Sequence, residues 1–221
     1  MSTQNPNILI IGSSGSGKTT SLRNLNPATT EIINIERKTL PFKSAAKFTI
    51  TSEPTTVQEI KTAITNARTN LATEVIVLDS FTSLDEIVLQ HCRTLYKGFD
   101  IYSNHNRMIR EFVSSLKIPN KLVVVIAIDE IVDIALVGGN KISKRTCKVE
   151  GRELQGTIEK EFTIVLFSEV VKLANGNMDY QFIVNSDGTN SAKAPMGMFA
   201  TLYVPNDLLY AREKIKEYYA P

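Results

Sequence analysis

The chain has 221 residues, 43% of them hydrophobic and 22% charged, which is ordinary for a globular protein of one domain. Lysine and arginine number 25 against 23 acidic residues, so the net charge of +2 excludes a globally basic protein and leaves only local basic patches. No apolar run is long enough to span a bilayer, and the polar N-terminus is unlike a signal peptide. Cys92 and Cys147 form no CxxC pair and no secretory feature accompanies them, so we expect reduced thiols in a cytoplasmic protein. The short apolar runs predict no membrane partner.

The first half of the chain alternates short apolar runs with amphipathic segments. The apolar runs predict strands of a parallel sheet that are buried on both faces, at residues 7–11, 31–35, 48–51, 75–78 and 122–128. Helical spacing of apolar residues predicts a helix that extends to Leu71 after a capping box at Thr56 and Glu59. A second capping signature at Ser83 and Glu86 precedes a helix whose apolar face includes His91, interpreted as a core histidine, and Leu95.

The pattern changes after residue 128. Gly138 and Gly139 open a basic stretch over residues 138–152, which we interpret as a mobile loop. Asn175-Gly176 lies between two apolar segments and predicts an antiparallel hairpin, and Asp207 precedes a C-terminal helix. We therefore expect an α/β fold in one domain over residues 1–221, with a mostly parallel central sheet and antiparallel C-terminal strands.

Residues 12–19 match the phosphate-binding motif G-x-x-x-x-G-K-[ST] at every fixed position. A buried strand precedes the motif, and we expect a helix to follow it. The glycines allow close backbone approach, so successive N–H groups point at phosphate oxygens, and the helix N-terminus adds the positive end of its dipole. The motif predicts that ATP is bound by Gly12, Ser13, Ser14, Gly15, Ser16, Gly17, Lys18, Thr19 and Thr20.

The same motif predicts a magnesium site. Lys18 is expected to reach the β- and γ-phosphates, and the Thr19 hydroxyl is expected to coordinate Mg²⁺. Asp79 follows four apolar residues, where a parallel strand meets the phosphate-side loops, and is the expected second metal residue. Ser80 follows it, where many motor ATPases carry a catalytic glutamate.

Hydrolysis requires a group that activates or positions water opposite the γ-phosphate. Glu36 ends the second strand, and Asp129 with its neighbour Glu130 follows the strongest strand. All three carboxylates are candidates, and the residue patterns leave the choice among them open.

Four features together resemble a minimal RecA core: the phosphate-binding motif and the three strands that end at Glu36, Asp79 and Asp129. That resemblance places Glu36 where RecA-type ATPases carry their glutamate. It places Asp129 where they carry a γ-phosphate sensor, although an amide is usual there. It also implies that Lys193 reaches the ATP of a neighbouring subunit and stabilises transition-state charge; an ordinary surface lysine is the alternative.

Four segments are similar to a more closely defined group, the phage single-domain RecA-core ATPases that include single-strand annealing recombinases. They are residues 16–22 (SGKTTSL), 36–42 (ERKTLPF), 151–156 (GRELQG) and 192–195 (AKAP). The resemblance implies an Mg²⁺-dependent ATPase that forms a homo-oligomer, a ring or a filament, and binds single-stranded DNA. It further implies annealing of complementary strands, cooperation with a single-strand-binding protein, and a location in the host cytoplasm.

Five cations of the basic stretch are the expected DNA contacts, and their position after the sensor strand matches a DNA-binding loop of a RecA core. They are Lys141, Lys144, Arg145, Lys148 and Arg152. A solvated basic surface and a lid over phosphates are the alternatives. Residues 93–107 interleave aromatic and basic side chains and form a second candidate DNA region.

Two other functions remain open at this point. One is a P-loop ATPase that acts on a protein partner as a loader, packaging or partition switch. The other is a P-loop nucleotide kinase, in which the basic stretch would close over the phosphates.

Overall fold

The computed structural model describes residues 6–135 and 141–220. The strands are β1 (Ile8–Ile11), β2 (Thr30–Asn34), β3 (Ile50–Ser52), β4 (Val75–Asp79), β5 (Leu122–Ala127), β6 (Asp129–Ala135), β7 (Lys141–Cys147), β8 (Ile164–Lys172), β9 (Met178–Ile183) and β10 (Tyr203–Pro205). The α-helices are α1 (Val57–Thr69), α2 (Phe81–Leu95), α3 (Asp100–Ser115) and α4 (Leu208–Tyr218). Short 3₁₀ helices span Thr19–Asn24, Pro27–Thr29, Ala45–Lys47 and Ile158–Glu161.

Eight strands form one twisted sheet in the order β10-β9-β8-β1-β5-β4-β2-β3. The strands from β8 to β3 pair in parallel, and β9 pairs antiparallel with both of its neighbours. The predicted α/β fold, with a mostly parallel sheet and an antiparallel C-terminal hairpin, is therefore confirmed, and the strand order is consistent with a RecA-like core. Strand β5 separates β1 from β4, so the loops after these two strands face each other across one strand.

Alternate residues of the central strands enter two apolar layers. Leu9 and Ile11 face the layer under α1, α2 and α3, whereas Ile8 and Ile10 face the layer under α4 and the 3₁₀ helix Thr19–Asn24. This two-sided burial follows from the period-two orientation of strand side chains. It explains why the strands read as continuous apolar runs.

The structure refines one local prediction and corrects two. The predicted helix after the phosphate-binding motif is a six-residue 3₁₀ helix, and the restriction that Pro27 places on Asn26 lies beyond its end. Helix α1 has the predicted Thr56–Glu59 capping box but ends at Thr69, so Leu71 is 99% exposed. Helix α2 is capped by Ser80 and not by Ser83, because the helix begins directly after the end of β4.

The basic stretch also differs from the predicted loop. Its residues 141–147 form β7, which pairs with β6 in a separate two-stranded hairpin. Gly138 and Gly139 lie outside the described residues. Within residues 6–135 and 141–220, no helix has both the length and the apolar character needed to cross a membrane.

Candidate nucleotide-binding site

The phosphate-binding loop follows β1 at the carboxyl end of the parallel strands. Gly12 N–H donates to the Ala127 carbonyl over 3.3 Å, and the Ser168 hydroxyl donates to the Ser16 carbonyl over 2.6 Å. A side chain at Gly12 would collide with the Ser168 carbonyl, since an ideal Cβ would lie 2.5 Å from that oxygen. The loop is thus held by the ends of both strands that flank β1.

The Lys18 ammonium lies within this loop, donating to the carbonyls of Gly12 over 2.7 Å and Ser13 over 2.8 Å. Burial lowers its pKa, while the carboxylates of Asp129, Asp79 and Glu36 act in the opposite direction. The fold therefore brings three of the predicted carboxylates, from three different strand ends, around one lysine.

Thr19 and Asp79 meet as the motif predicts. The Thr19 hydroxyl donates to Asp79 Oδ2 over 2.8 Å. Burial raises the pKa of Asp79 to about 6; Glu36 adds to the rise, whereas the Thr19 hydrogen bond and Lys18 oppose it. Desolvation of a carboxylate is offset when a cation binds to it.

Thr19 and Asp79 fit Mg²⁺, which prefers oxygen ligands and commonly takes one or two carboxylates together with substrate phosphates. Among the described residues, no group of three or more His, Cys, Asp or Glu side chains could hold a metal on its own. The ion would therefore be shared between these two side chains and the nucleotide phosphates.

Glu36 lies at the end of β2, beside Ser80. The Ser80 hydroxyl donates to Glu36 Oε1 over 2.9 Å, and Lys38 Nζ lies 2.7 Å from Glu36 Oε2. Burial raises the pKa of Glu36, but the hydrogen bonds from Lys38 and Ser80 lower it by more than burial raises it. The net pKa is therefore below the ordinary value. Glu36 is thus an oriented, ionised carboxylate that can accept a hydrogen bond from water.

Asp129 is paired with an arginine of the hairpin. Arg145 Nε lies 3.0 Å from Asp129 Oδ2, and the Arg145 guanidinium also contacts Glu169 and packs 5.3 Å from the centroid of the Phe167 ring. Its neighbour Glu130 is not part of this cluster, since it accepts hydrogen bonds from Val149 N–H and Gln155.

A groove of about 860 Å³ opens beside Glu36 and runs along α2. His91 and Glu86 of α2 line it together with Lys38. The expectation that His91 is a core histidine is therefore wrong. The buried histidine is His105, whose Nε2 lies 2.7 Å from Asp85 Oδ1.

The five cations predicted to contact DNA are divided between two places. Lys141 is exposed and Lys144 is half-buried on the hairpin, where Arg145 is engaged in ion pairs. Lys148 and Arg152 line a groove of about 430 Å³ with Phe99 and Tyr102, aromatic residues of the second candidate DNA region. Three carboxylates give this groove mixed charge: Glu130, Glu150 and Glu153.

Lys193 is not brought into the cluster of its own chain. Its backbone pairs with Val165, opposite Leu9 of β1 and therefore below the phosphate-binding loop. The Lys193 side chain is half-buried; burial lowers its pKa, and the charges of Glu159 and Glu161 oppose that effect.

Sequence reasoning missed the residues that support the site from other strands. The sequence analysis considered Ser80 only as the residue that replaces the catalytic glutamate of motor ATPases, yet its hydroxyl orients Glu36. Asn206 donates to the Ser168 hydroxyl over 2.8 Å and thereby braces the phosphate-binding loop. A polar residue directly after a strand-terminal aspartate was the only local signal, and it pointed to Ser80 alone.

A comparison with protein families finds one match, an AAA domain family (AAA_24), over residues 4–194. A comparison with curated proteins finds no significant match. The family match covers most of the chain and includes the phosphate-binding loop and the strand ends around it. The chain therefore belongs to this AAA domain family, and it is a nucleotide-binding P-loop NTPase of the ATPase class.

Proposed function

We propose that this protein is a Mg²⁺-dependent ATPase that binds single-stranded DNA and promotes annealing of complementary strands in a phage recombination system. The observation that carries the ATPase part is the convergence of Lys18, Thr19, Asp79 and Glu36 at the carboxyl ends of β1, β4 and β2. The annealing step and the phage setting rest on the sequence resemblance.

Each residue of the cluster has a separate task in hydrolysis. The backbone N–H groups of the loop and Lys18 bind the phosphates, and Thr19 with Asp79 would hold Mg²⁺, which would supply charge neutralisation when bound. Glu36, oriented by Ser80 and kept ionised, positions the attacking water and accepts its proton. Asp129 lies within the electrostatic reach of Lys18, and its pairing with Arg145 limits repulsion of the γ-phosphate.

The hairpin favours a nucleic-acid partner. Its first strand β6 begins at Asp129, within the electrostatic reach of Lys18, and its second strand β7 carries Lys141 and Lys144 outside the central sheet. A bound γ-phosphate acts on Asp129 of β6, and β6 is paired with the strand that bears these lysines. This connection gives ATP a route to change DNA affinity.

Fluorescence anisotropy with labelled single-stranded DNA, with and without ATP and Mg²⁺, tests the proposal. Tight binding that weakens with salt and changes with ATP is expected, since cations neutralise phosphates and release counterions. Absence of binding at low salt would exclude the DNA function while leaving the ATPase assignment intact.

The alternative is an ATPase with a protein partner, and one feature of the hairpin favours it. Ile131, Ile134 and Ile142 expose apolar surface there, with Ile131 71% exposed. Under this alternative, removal of these side chains would abolish partner-stimulated hydrolysis, and single-stranded DNA would not affect the rate.

A further inference from the structure

The phosphate-binding loop has two sides, and the cluster described above occupies only one of them. Asp79 lies toward β5 and β4, whereas β8 and β9 lie on the other side of β1. The triphosphate is elongated, and its γ-end is fixed by Lys18, Thr19 and Asp79 if the proposed function is correct. The nucleoside end would then lie on the side of β8 and β9.

Tyr180 of β9 stands at that side. Strand register places Phe167 opposite Ile11 and Tyr180 opposite Val170, so Tyr180 lies beyond the level at which β1 ends. Tyr180 and Phe182 are two residues apart on β9 and therefore face the same side of the sheet. Phe182 is buried there, in the layer beside the 3₁₀ helix Thr19–Asn24. Tyr180 therefore projects past that layer, beside the loop itself.

The Tyr180 ring covers the outside of the loop at Gly17. Gly17 has a φ of 93°, and an ideal Cβ added there would lie 2.7 Å from Tyr180 Cδ1. The position of Tyr180 is fixed from the main chain, because Asn206 N–H donates to the Tyr180 carbonyl over 3.1 Å. About half of the side chain remains exposed, at 45%. A rigid aromatic surface is thus available next to the phosphate cradle.

We infer that Tyr180 stacks on the base of the bound nucleotide and makes this chain prefer a nucleoside triphosphate over a bare polyphosphate. Base–aromatic stacking accepts any base, since every base has a π-face. The inference rests on the proposed nucleotide function and adds a binding residue from a strand that carries no phosphate contact.

The test compares the affinities of ATP and inorganic tripolyphosphate, each with Mg²⁺, by isothermal titration calorimetry. Tyr180→Ala should weaken ATP binding by about tenfold and leave tripolyphosphate binding unchanged, and Tyr180→Phe should behave as wild type. Tyr203→Ala is the matched control, because Tyr203 is 47% exposed on the neighbouring strand β10. It should change neither affinity.

A second variant allows stacking on the base to be measured by fluorescence. The chain contains no tryptophan, so Tyr180→Trp introduces a single reporter. Its fluorescence should be quenched by ATP and not by tripolyphosphate. Equal loss of both ligands in Tyr180→Ala, no loss of either, or no quenching by ATP would overturn the inference while leaving nucleotide binding established. Wild-type protein that binds neither ligand would overturn the proposed function as well.

Discussion

Asp79 combines a metal-binding role with unfavourable burial. Its side chain is 6% exposed, and its nearest hydrogen-bond donor is a neutral hydroxyl. Without a bound cation, ionisation of this carboxylate opposes folding. Nucleotide sites commonly hold such groups, because the same desolvation strengthens their attraction for Mg²⁺.

This burial predicts how the metal-free protein responds to pH. A pKa raised from 3.8 to about 6 means that stability is present below pH 4 and is lost as the pH rises through 6. The loss corresponds to roughly 3 kcal/mol. Asp79→Asn should remove it, so that urea unfolding with a metal chelator shows the variant gaining stability relative to wild type between pH 4 and 7. A constant difference over that range would contradict the prediction.

Glu36 allows a sharper test of the chemical step. Glu36→Gln keeps the hydrogen bond from Ser80 but removes the charge that accepts a proton from water. We expect ATP affinity to be retained and turnover to fall by about 10²–10⁴-fold. Glu86→Gln is the matched control, because Glu86 lines the same groove. Phosphate release should be normal in that control, and equal effects of the two changes would remove Glu36 from the mechanism.

At the scale of the elements, the β6–β7 hairpin carries two kinds of cation: Arg145 forms ion pairs, whereas Lys141 and Lys144 form none with the residues that the structure describes. Lys141→Ala with Lys144→Ala should weaken binding of single-stranded DNA and reduce the magnitude of the log–log salt slope by about 1.4. ATP affinity should not change. The control is Lys43→Ala with Lys47→Ala, two exposed lysines that lie before the edge strand β3. Anisotropy at several salt concentrations measures both pairs.

Arg145 should behave differently from these lysines. It is held by Asp129 and Glu169, so Arg145→Ala removes the cation that both carboxylates contact, and Asp129 lies within the electrostatic reach of Lys18. We expect weaker binding of ATP, with ADP less affected, because the unpaired Asp129 repels the γ-phosphate. Arg145→Ala with Asp129→Asn should recover the ATP affinity. A selective loss of DNA binding with unchanged ATP affinity would instead place Arg145 among the DNA contacts.

Local signals in the sequence were sufficient for the central parallel strands and for the phosphate-binding loop, but not for β6, β7 and β10. The central strands are buried on both faces and therefore read as apolar runs, and the loop has fixed residues at fixed spacing. The Ser80–Glu36 and Arg145–Asp129 contacts join residues from different strands, and such pairing leaves no trace in either segment alone.

At the scale of the whole molecule, the positions of Glu36 and Lys193 differ in a way that concerns assembly. Glu36 opens onto a groove at the carboxyl end of the sheet, whereas Lys193 lies beside β8 below the loop. The charges that act on Lys193 are those of Glu159 and Glu161, so Lys193 does not join the cluster around Lys18 in its own chain. The hypothesis that Lys193 serves the ATP of a neighbour therefore requires a homo-oligomer, and it makes the hydrolysis rate depend on association.

Complementation between variants tests that hypothesis. We expect wild-type turnover per subunit to rise with protein concentration, and Lys193→Ala to abolish the rise without changing ATP affinity. Lys160→Ala, an exposed lysine between Glu159 and Glu161, is the matched control and should behave as wild type. Mixing Lys193→Ala with Glu36→Gln should restore part of the activity, because one interface then joins an intact Glu36 to an intact Lys193. Turnover that is independent of concentration and of DNA, or a mixture no more active than its components, would show that Lys193 has no role in a neighbouring site.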